Sequence, residues 1–392
     1  MTAARLPPVR GHLDQVDLFR VLTFASVLAV HSFAFTNPPD SHVANGVAVV
    51  LHFTREAFFF LTGFVLVHSQ RDRPLQVTSF WRKRLRLIGV PYLVWSVLYW
   101  AYGLLLEPRP AGLATSDLVW GVLGGHAAFH LYFLLVSIQI YLAFPLLLAL
   151  VRACRRHPLV LAAALLAYEV AVMVWLHDVA PTTGVSGWLA GKAYVLLPTY
   201  LFWVVLGELA AQHLESAQTW LVTHARLAVA GGVLAIAASV GWYAWQLGHG
   251  RTSLDTDASA VLQPVMVLDS LGVIVLLAVL SCRWAVARPD RPRAARVLAW
   301  CSSASFGVYL VHALVLDRVL ALGLHGPEPE LVPQPYASVL AWVLTAVGSV
   351  ALVAVLRQTP VSLPLTGRSR PRRTHDHAAP AQPPVPAGTR GA

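Results

Sequence analysis

The stretch VDLFRVLTFASVLAVHSFAF, residues 16–35, decides the fold class and contains the two most informative polar residues of the chain, Arg20 and His31. Its apolar length is that of a helix that crosses a membrane. Eleven residues at about 100° each make roughly three full turns, so both side chains lie on one helix face, about 16 Å apart along the axis. Ionisable side chains at membrane depth are costly and usually mark a polar interior or a site. We therefore expect this helix to form one wall of a polar tunnel.

The whole chain has the composition of a polytopic membrane protein. Hydrophobic residues make up 57% of its 392 residues and charged residues only 12%, which excludes a soluble globular domain. The run 16–35 is long and leads into further apolar stretches, so we interpret it as an uncleaved span and not as a signal peptide. Apolar windows predict an all-α bundle of about ten transmembrane helices. These cover residues 16–36, 46–68, 87–106, 129–151, 159–176, 192–212, 227–247, 260–282, 301–322 and 336–356.

The net charge of +10 is explained by topology and does not indicate nucleic-acid binding. Basic residues concentrate in every second connecting segment, whereas the intervening segments contain only Arg109, Lys192 and Arg251. The positive-inside rule then places both termini in the cytoplasm. We expect a membrane domain over residues 1–357 and a basic, Pro/Ala-rich, disordered cytoplasmic tail over 358–392.

Several kinds of site are not indicated by the sequence. The three cysteines have no paired or metal-binding spacing, which argues against a disulfide framework and a zinc site. The chain also contains no phosphate loop and no Gly-rich nucleotide fingerprint. We expect no metal site and no permanently bound cofactor. We also expect no attached soluble catalytic domain, so any chemistry takes place within the helical bundle or at its edge.

On this topology, cationic side chains gather toward the cytoplasm, whereas imidazoles gather outside and at mid-depth. Arginine suits phosphate through its planar fork of donors, and histidine suits removal of a hydroxyl proton near neutral pH. This polarity indicates an anionic donor from the cytoplasm and a neutral hydroxyl acceptor outside. The inner set is Arg20, Arg82, Lys83, Arg84 and Arg86, and the outer and middle set is His31, His52, Glu56, His130, Tyr309 and His312.

Four stretches of the chain form a recognisable set: Arg20-x10-His31, EAFFFLTGFVL (56–66), FWRKRLRLIGVPYLVW (80–95) and SFGVYLVH (305–312). Together they resemble the membrane-bound acyltransferase-3 family, and the similarity spans residues 14 to about 356. Two features depart from the usual family pattern. Thr62 replaces a serine, and the nearest equivalents of an Arg-x-x-Arg motif are Lys83-x-x-Arg86 and the alternating Arg82, Arg84 and Arg86. We expect the stand-alone type, without a fused soluble hydrolase-like domain.

The resemblance implies an O-acyltransferase of the cell membrane, expected to be a bacterial plasma membrane. Its donor would be cytoplasmic acyl-CoA, with acetyl as the expected group, and its acceptor a hydroxyl of a carbohydrate, glycolipid or glycosylated metabolite. Carried over by position, His31 would be the catalytic histidine, as general base or transient acyl carrier. Glu56 would orient or charge a histidine, or would be paired structurally. Arg20 and the basic run Arg82–Arg86 would hold the donor, and His52, His130, Tyr309 and His312 would contact the acceptor.

Two other classes of protein also place charges inside a helical bundle. A transporter or exporter of a lipid-linked or sugar-like substrate would need a tunnel, although such proteins usually show repeat symmetry and paired broken helices. A non-catalytic sensor or assembly subunit would not need Arg20 and His31 on the same helix face. Neither the acceptor, the acyl length nor the oligomeric state is encoded in a motif of this chain.

Overall fold

The computed structural model describes residues 13–71, 74–324 and 332–370, which are α-helical and contain no β-strand. Long apolar helices alternate with shorter helices that lie between them. In chain order the helices are α1 (Asp14–Thr36), α2 (His42–Leu51), α3 (Thr54–Ser69), α4 (Val77–Leu106), α5 (Ala111–Gly124), α6 (Tyr132–Ala153), α7 (Pro158–Val174), α8 (Gly184–Lys192), α9 (Leu201–Gln212), α10 (Leu214–Thr223), α11 (Ala225–Gly248), α12 (Pro264–Ala287), α13 (Pro292–Leu320), α14 (Tyr336–Leu356) and α15 (Ser362–Thr366).

These helices confirm the predicted all-α membrane bundle. Within the described ranges, nine helical segments are long and apolar enough to cross a membrane, with α2 and α3 together forming one of them. A tenth span results if Gly184–Val195 and Leu197–Gln212, which meet at an angle of 54°, count as one. Ten crossings return the chain to the side where it began, as the predicted orientation requires. We call the two ends of the bundle inner and outer according to that orientation.

Two long helices begin well ahead of the predicted spans. The basic run Arg82–Arg86 lies inside α4, which starts at Val77, whereas hydropathy predicts a start at 87. Similarly, α13 starts at Pro292 and not at 301. Hydropathy locates the membrane and not the helix end, because lysine and arginine are good helix formers once the chain has left the apolar layer.

The first helix occupies a central position in the bundle. It packs against α2, α3, α12, α13 and α14. Its face with Arg20 and His31 is thereby enclosed by protein, as a polar stripe at membrane depth requires. The predicted tunnel wall is therefore surrounded by neighbouring helices.

The closest helix crossing joins α3 to α9 through two glycines. A Cβ atom at Gly63 would overlap the backbone carbonyl of Val204, and one at Gly207 would overlap the carbonyl of Phe60. Small residues at helix interfaces allow backbones to approach, which is how helices associate in lipid. The crossing fixes α3 and its polar residues relative to the rest of the bundle.

Substitution of Gly63 by alanine is expected to destabilise the fold, because the added methyl group must push two backbones apart. Overpacking of this kind costs about 1–3 kcal/mol or more. Thermal unfolding of the purified protein, followed by size-exclusion fluorescence, measures the effect. Gly89→Ala is the matched control, since a Cβ there meets no atom within 4 Å. Equal stability of the two variants would contradict the tight crossing.

The ordered chain continues past the predicted domain boundary at 357. Helix α15 packs against α4, α13 and α14, and its Leu365 carbonyl accepts a hydrogen bond of 3.1 Å from the Trp95 indole. Gly367 follows it with a positive φ of 67°, which turns the chain back toward α4 and α13. Residues 371–392 lie outside the described residues, so the predicted disorder of the tail stays a prediction.

Candidate functional site

A cavity of about 470 Å³ lies at the outer end of the bundle and collects four of the predicted site residues. His31, His52, His130 and Tyr309 all line it. The four residues come from α1, the end of α2, the loop before α6, and α13. Side chains from four separate parts of the sequence thus converge on one space, as expected of a ligand site.

Three imidazoles form a cluster beside this cavity. The ring centroids of His31 and His312 are 5.5 Å apart, with the planes nearly parallel at 24°. The centroids of His130 and His312 are 4.8 Å apart in an edge-to-face arrangement. Among the described residues, no group of His, Cys, Asp and Glu side chains forms a metal-binding set.

One of these imidazoles has a defined tautomer. The Nδ1 atom of His312 lies 2.6 Å from the backbone carbonyl of Tyr309. Because a carbonyl oxygen only accepts, Nδ1 must carry the proton, and Nε2 is left with its lone pair. Nε2 is buried and has no hydrogen-bond partner among the described residues. In the neutral ring, Nε2 of His312 is therefore the acceptor nitrogen.

Aromatic side chains hold this cluster in place. The Phe129 ring lies 4.5 Å from His31, between centroids. The Tyr309 hydroxyl donates a hydrogen bond to the backbone carbonyl of His130. On α4, the Tyr99 hydroxyl donates to the Leu310 carbonyl at 2.8 Å. The loop that carries His130 and the helix that carries His312 are therefore tied together.

Glu56, predicted to act on a histidine, forms an ion pair with its neighbour on α3. Its Oε1 atom lies 3.1 Å from Nη2 of Arg55, and both side chains are largely buried. Nη2 of Arg55 also donates to the Val261 carbonyl at 3.2 Å. Arg55 lines the outer cavity, whereas Glu56 lies behind it. The geometry places Glu56 where it neutralises and orients Arg55.

The mouth of the outer cavity contains a second polar group. Nζ of Lys192 lies 3.3 Å from Nε2 of His126, and the Tyr194 hydroxyl lies 3.0 Å from Nδ1 of the same ring. Since an ammonium group only donates, Nε2 accepts and Nδ1 is the protonated nitrogen. Partial burial and the Lys192 charge lower the pKa of His126 below its usual value. His126 therefore links Lys192 to Tyr194, and Tyr194 lines the cavity.

A smaller pocket of about 140 Å³ lies at the inner end and contains Arg20 and Arg84. Arg20 donates a hydrogen bond of 3.3 Å from Nη1 to the Ser302 hydroxyl. The Arg84 guanidinium lies 5.7 Å from the centre of the Tyr141 ring, which also lines the pocket. Two guanidinium groups around one small polar space form a suitable site for a phosphate or pyrophosphate group.

The remaining cations of the basic run point elsewhere. Arg82, Lys83 and Arg86 are exposed, and none of them lines the inner pocket. Arg368, in the turn after α15, is exposed as well. It lies close enough to Arg20 for the two charges to interact, and its carbonyl accepts a 2.6 Å hydrogen bond from Ser362. Arg368 is thus a third arginine near Arg20, although it does not line the inner pocket.

Comparison with protein-family models matched residues 13–358 to the model described as "Acyltransferase domain". The chain belongs to the acyltransferase-3 family. The match covers nearly the whole described bundle, and it confirms the family resemblance. Searches of curated proteins and of solved structures found no match. The protein is a membrane acyltransferase with multiple spans.

Sequence reasoning missed several residues that the structure places at the two sites of this acyltransferase. Arg55, Phe129 and Asp255 line the outer cavity, and none of them is among the site residues predicted from the sequence. Arg368 lies in the stretch 358–392, which the sequence predicts to be a disordered tail. Phe129 is adjacent to His130 in HAAFH, which is a usable signal. Asp255 carried no signal, because its approach to the cavity depends on the fold of the loop before α12.

Proposed function

We propose that this acyltransferase moves an acyl group, in the first instance acetyl, from cytoplasmic acyl-CoA to a hydroxyl of an extracytoplasmic carbohydrate, glycolipid or glycosylated metabolite. The observation that carries the proposal is that one face of α1 contributes a residue to each of two separate sites. Arg20 lines a pocket with a second arginine, and His31, on the same helix, lines a cavity beside two more histidines. A phosphate-bearing donor and a hydroxyl acceptor require these two chemistries at opposite ends.

On the donor side, Arg20 and Arg84 hold the phosphates of CoA. The donor's flexible arm then extends along α1 toward His31, a separation of about 16 Å along the helix axis. Of the basic run, Arg84 is the residue that contacts the donor, because it alone of the four cations lines the inner pocket. The exposed Arg82, Lys83 and Arg86 anchor the helix at the inner membrane surface.

On the acceptor side, the cavity suits a molecule with many hydroxyl groups. Asn45, Asp255 and Ser259 supply hydrogen-bonding groups, while Tyr132 and Tyr194 supply aromatic surface. A carboxylate such as Asp255 accepts hydrogen bonds from hydroxyl donors. Apolar walls with a few polar groups are the usual make-up of a small-molecule site. The lining therefore supports a carbohydrate or a similar polyol.

The reaction uses His31 as general base. His31 takes the proton of the acceptor hydroxyl, and that oxygen attacks the carbonyl carbon of the thioester. A C–O bond forms, the C–S bond breaks, and the thiolate of CoA leaves and receives the proton. His31 is the catalytic residue because it lines the cavity, and His312 is a positioning residue beside it. Glu56 acts through Arg55, which it holds on the cavity wall.

The test is acyl-CoA turnover by the purified protein in nanodiscs with radiolabelled acetyl-CoA. Free thiol release and labelled product are followed with a panel of sugar and glycoside acceptors. We expect thiol release to depend on an acceptor and to match the label transferred. Binding of labelled acetyl-CoA is measured in parallel without acceptor. A protein that neither binds acetyl-CoA nor labels any acceptor would contradict the proposal and favour a transporter.

Arg368 provides a separate prediction about binding of the donor. Arg368→Ala is expected to raise the KM for acyl-CoA by up to about fivefold at low salt, the size of an exposed ionic interaction. The effect should shrink at high salt, because exposed charges are screened. Arg226→Ala at the inner end of α11, also exposed, is the control. An unchanged KM at low salt would remove Arg368 from the donor site.

A further inference from the structure

The outer cavity and the inner pocket share a single lining residue among the described residues, and that residue is Phe58. Its side chain is buried, with 8% of its surface exposed. The two spaces therefore approach each other from opposite ends of the bundle and meet at one aromatic ring.

Helix α3 explains why Phe58 lies between the two spaces. Arg55 of this helix lines the outer cavity, Thr62 and Val65 line the inner pocket, and Phe58 lies between them. These positions recur at intervals of three or four residues, which places them on one helix face. Arg55 and Thr62 are about 10 Å apart along the axis. One stripe of α3 thus forms a wall of both spaces, with the Phe58 ring at the midpoint.

Other rings close the gap around Phe58. The Phe24 ring from α1 packs edge-on against it, with centroids 4.4 Å apart. Phe133 lies at 5.2 Å and Tyr309 at 6.5 Å, again between centroids. Rings contributed by α1, α3, α6 and α13 therefore fill the section between the arginines and the histidines.

We propose that Phe58 is the residue that selects acyl transfer over hydrolysis by sealing the acyl donor from the water of the outer cavity. The proposal rests on the function proposed above. With the ring in place, water from the outer cavity has no path to the inner pocket. A donor held in the inner pocket therefore waits with its thioester behind the ring. When its arm advances toward His31, the arm displaces the ring and fills the same gap, so that water of the outer cavity still does not reach the inner pocket. Exclusion of water from a reactive intermediate is a recognised role of closed active sites.

The competing reaction defines what the seal prevents. A water oxygen attacks the thioester carbonyl, a C–O bond forms, the C–S bond breaks, and the products are a carboxylic acid and the free thiol of CoA. Loss of the Phe58 ring leaves a water-filled gap beside the donor arm. Phe58→Ala is therefore expected to raise acceptor-independent thiol release several-fold and to lower the fraction of acyl groups that reach the acceptor.

The matched control lies two residues further along the same helix. Phe60 packs against Phe19, at 5.9 Å between centroids, and lines neither the outer cavity nor the inner pocket. Phe60→Ala removes the same atoms from α3 without opening the gap. Phe58→Leu, which keeps an apolar side chain in place, serves if the alanine variant folds poorly, and it should leak less than Phe58→Ala.

A labelling experiment tests the seal independently of acyl transfer. Cys154, Cys282 and Cys301 are first replaced by serine, and Thr62→Cys places one thiol in the inner pocket. A membrane-impermeant methanethiosulfonate reagent is added to the outer side of sealed vesicles, and a permeant reagent serves as the control for thiol reactivity.

We expect outer-side labelling of Thr62→Cys only when Phe58→Ala is also present, and not with Phe60→Ala. Labelling that is the same with and without the Phe58 ring, whether high or low, would overturn the seal. The labelling experiment contains no acyl donor. A failed transfer assay would therefore count against the proposed function, whereas the labelling pattern alone decides the role of Phe58.

Discussion

Replacement of His31 by alanine is expected to lower the rate of acyl transfer by about 10²- to 10⁴-fold, the contribution of a positioned general base. Acyl-CoA binding should be retained, because Arg20 and Arg84 lie in the separate inner pocket. The loss should therefore fall on kcat and leave the donor KM nearly unchanged. Single-turnover transfer to a hydroxyl acceptor in nanodiscs, together with equilibrium binding of labelled acetyl-CoA, measures both quantities.

Two further histidine variants make this result specific. His249→Ala changes an exposed histidine at the end of α11, whose Nδ1 lies 2.7 Å from the Trp245 carbonyl, and should leave transfer unchanged. His312→Gln should cause a smaller loss than His31→Ala, because His312 does not line the cavity. Near-normal turnover by the His31 variant would remove this residue from the reaction.

The second large effect is expected at the inner pocket. Arg20→Ala and Arg84→Ala should each raise the donor KM by roughly 10- to 100-fold, which corresponds to the loss of a charged hydrogen bond. Arg84→Lys should recover only part of the loss, since an ammonium group keeps the charge but not the planar fork. The KM for acetyl-CoA at fixed acceptor concentration is the measurement.

The exposed cations of the same helix are the controls for this prediction. Arg82→Ala, Lys83→Ala and Arg86→Ala should change the donor KM by at most about fivefold, as exposed charges do. A larger effect at Arg82 than at Arg84 would show that the donor binds outside the inner pocket. Retention of a normal KM in both Arg20→Ala and Arg84→Ala would contradict the donor site as a whole.

The sequence was sufficient to predict the bundle and the family, because both depend on local patterns. Apolar windows locate spans through composition alone, and the Arg20-x10-His31 spacing depends on helix geometry within one element. The resemblance was also carried by short contiguous stretches. Patterns of this kind can be recognised in the sequence without knowledge of how the helices pack.

The grouping of the site residues was beyond sequence reasoning, because it is tertiary. His31, His130 and His312 are separated by about a hundred residues or more along the chain, and no periodicity links their helices. The alternating cations of the basic run gave no way to single out Arg84, since the facing Tyr141 comes from α6. Glu56 was hard to place for a related reason. Its partner is the adjacent Arg55. The sequence does not show which of these two neighbouring side chains lines the cavity.

The glycine crossing between α3 and α9 has a mechanical consequence for how the enzyme turns over. Since Gly63 and Gly207 bring two backbones into direct contact, α3 cannot shift outward or rotate without breaking the crossing. We therefore expect the helix that carries Phe58 to keep its position while the donor arm passes. Turnover is then expected to need side-chain rotation at Phe58 and no rocking of whole helical domains, unlike transport by proteins that alternate access.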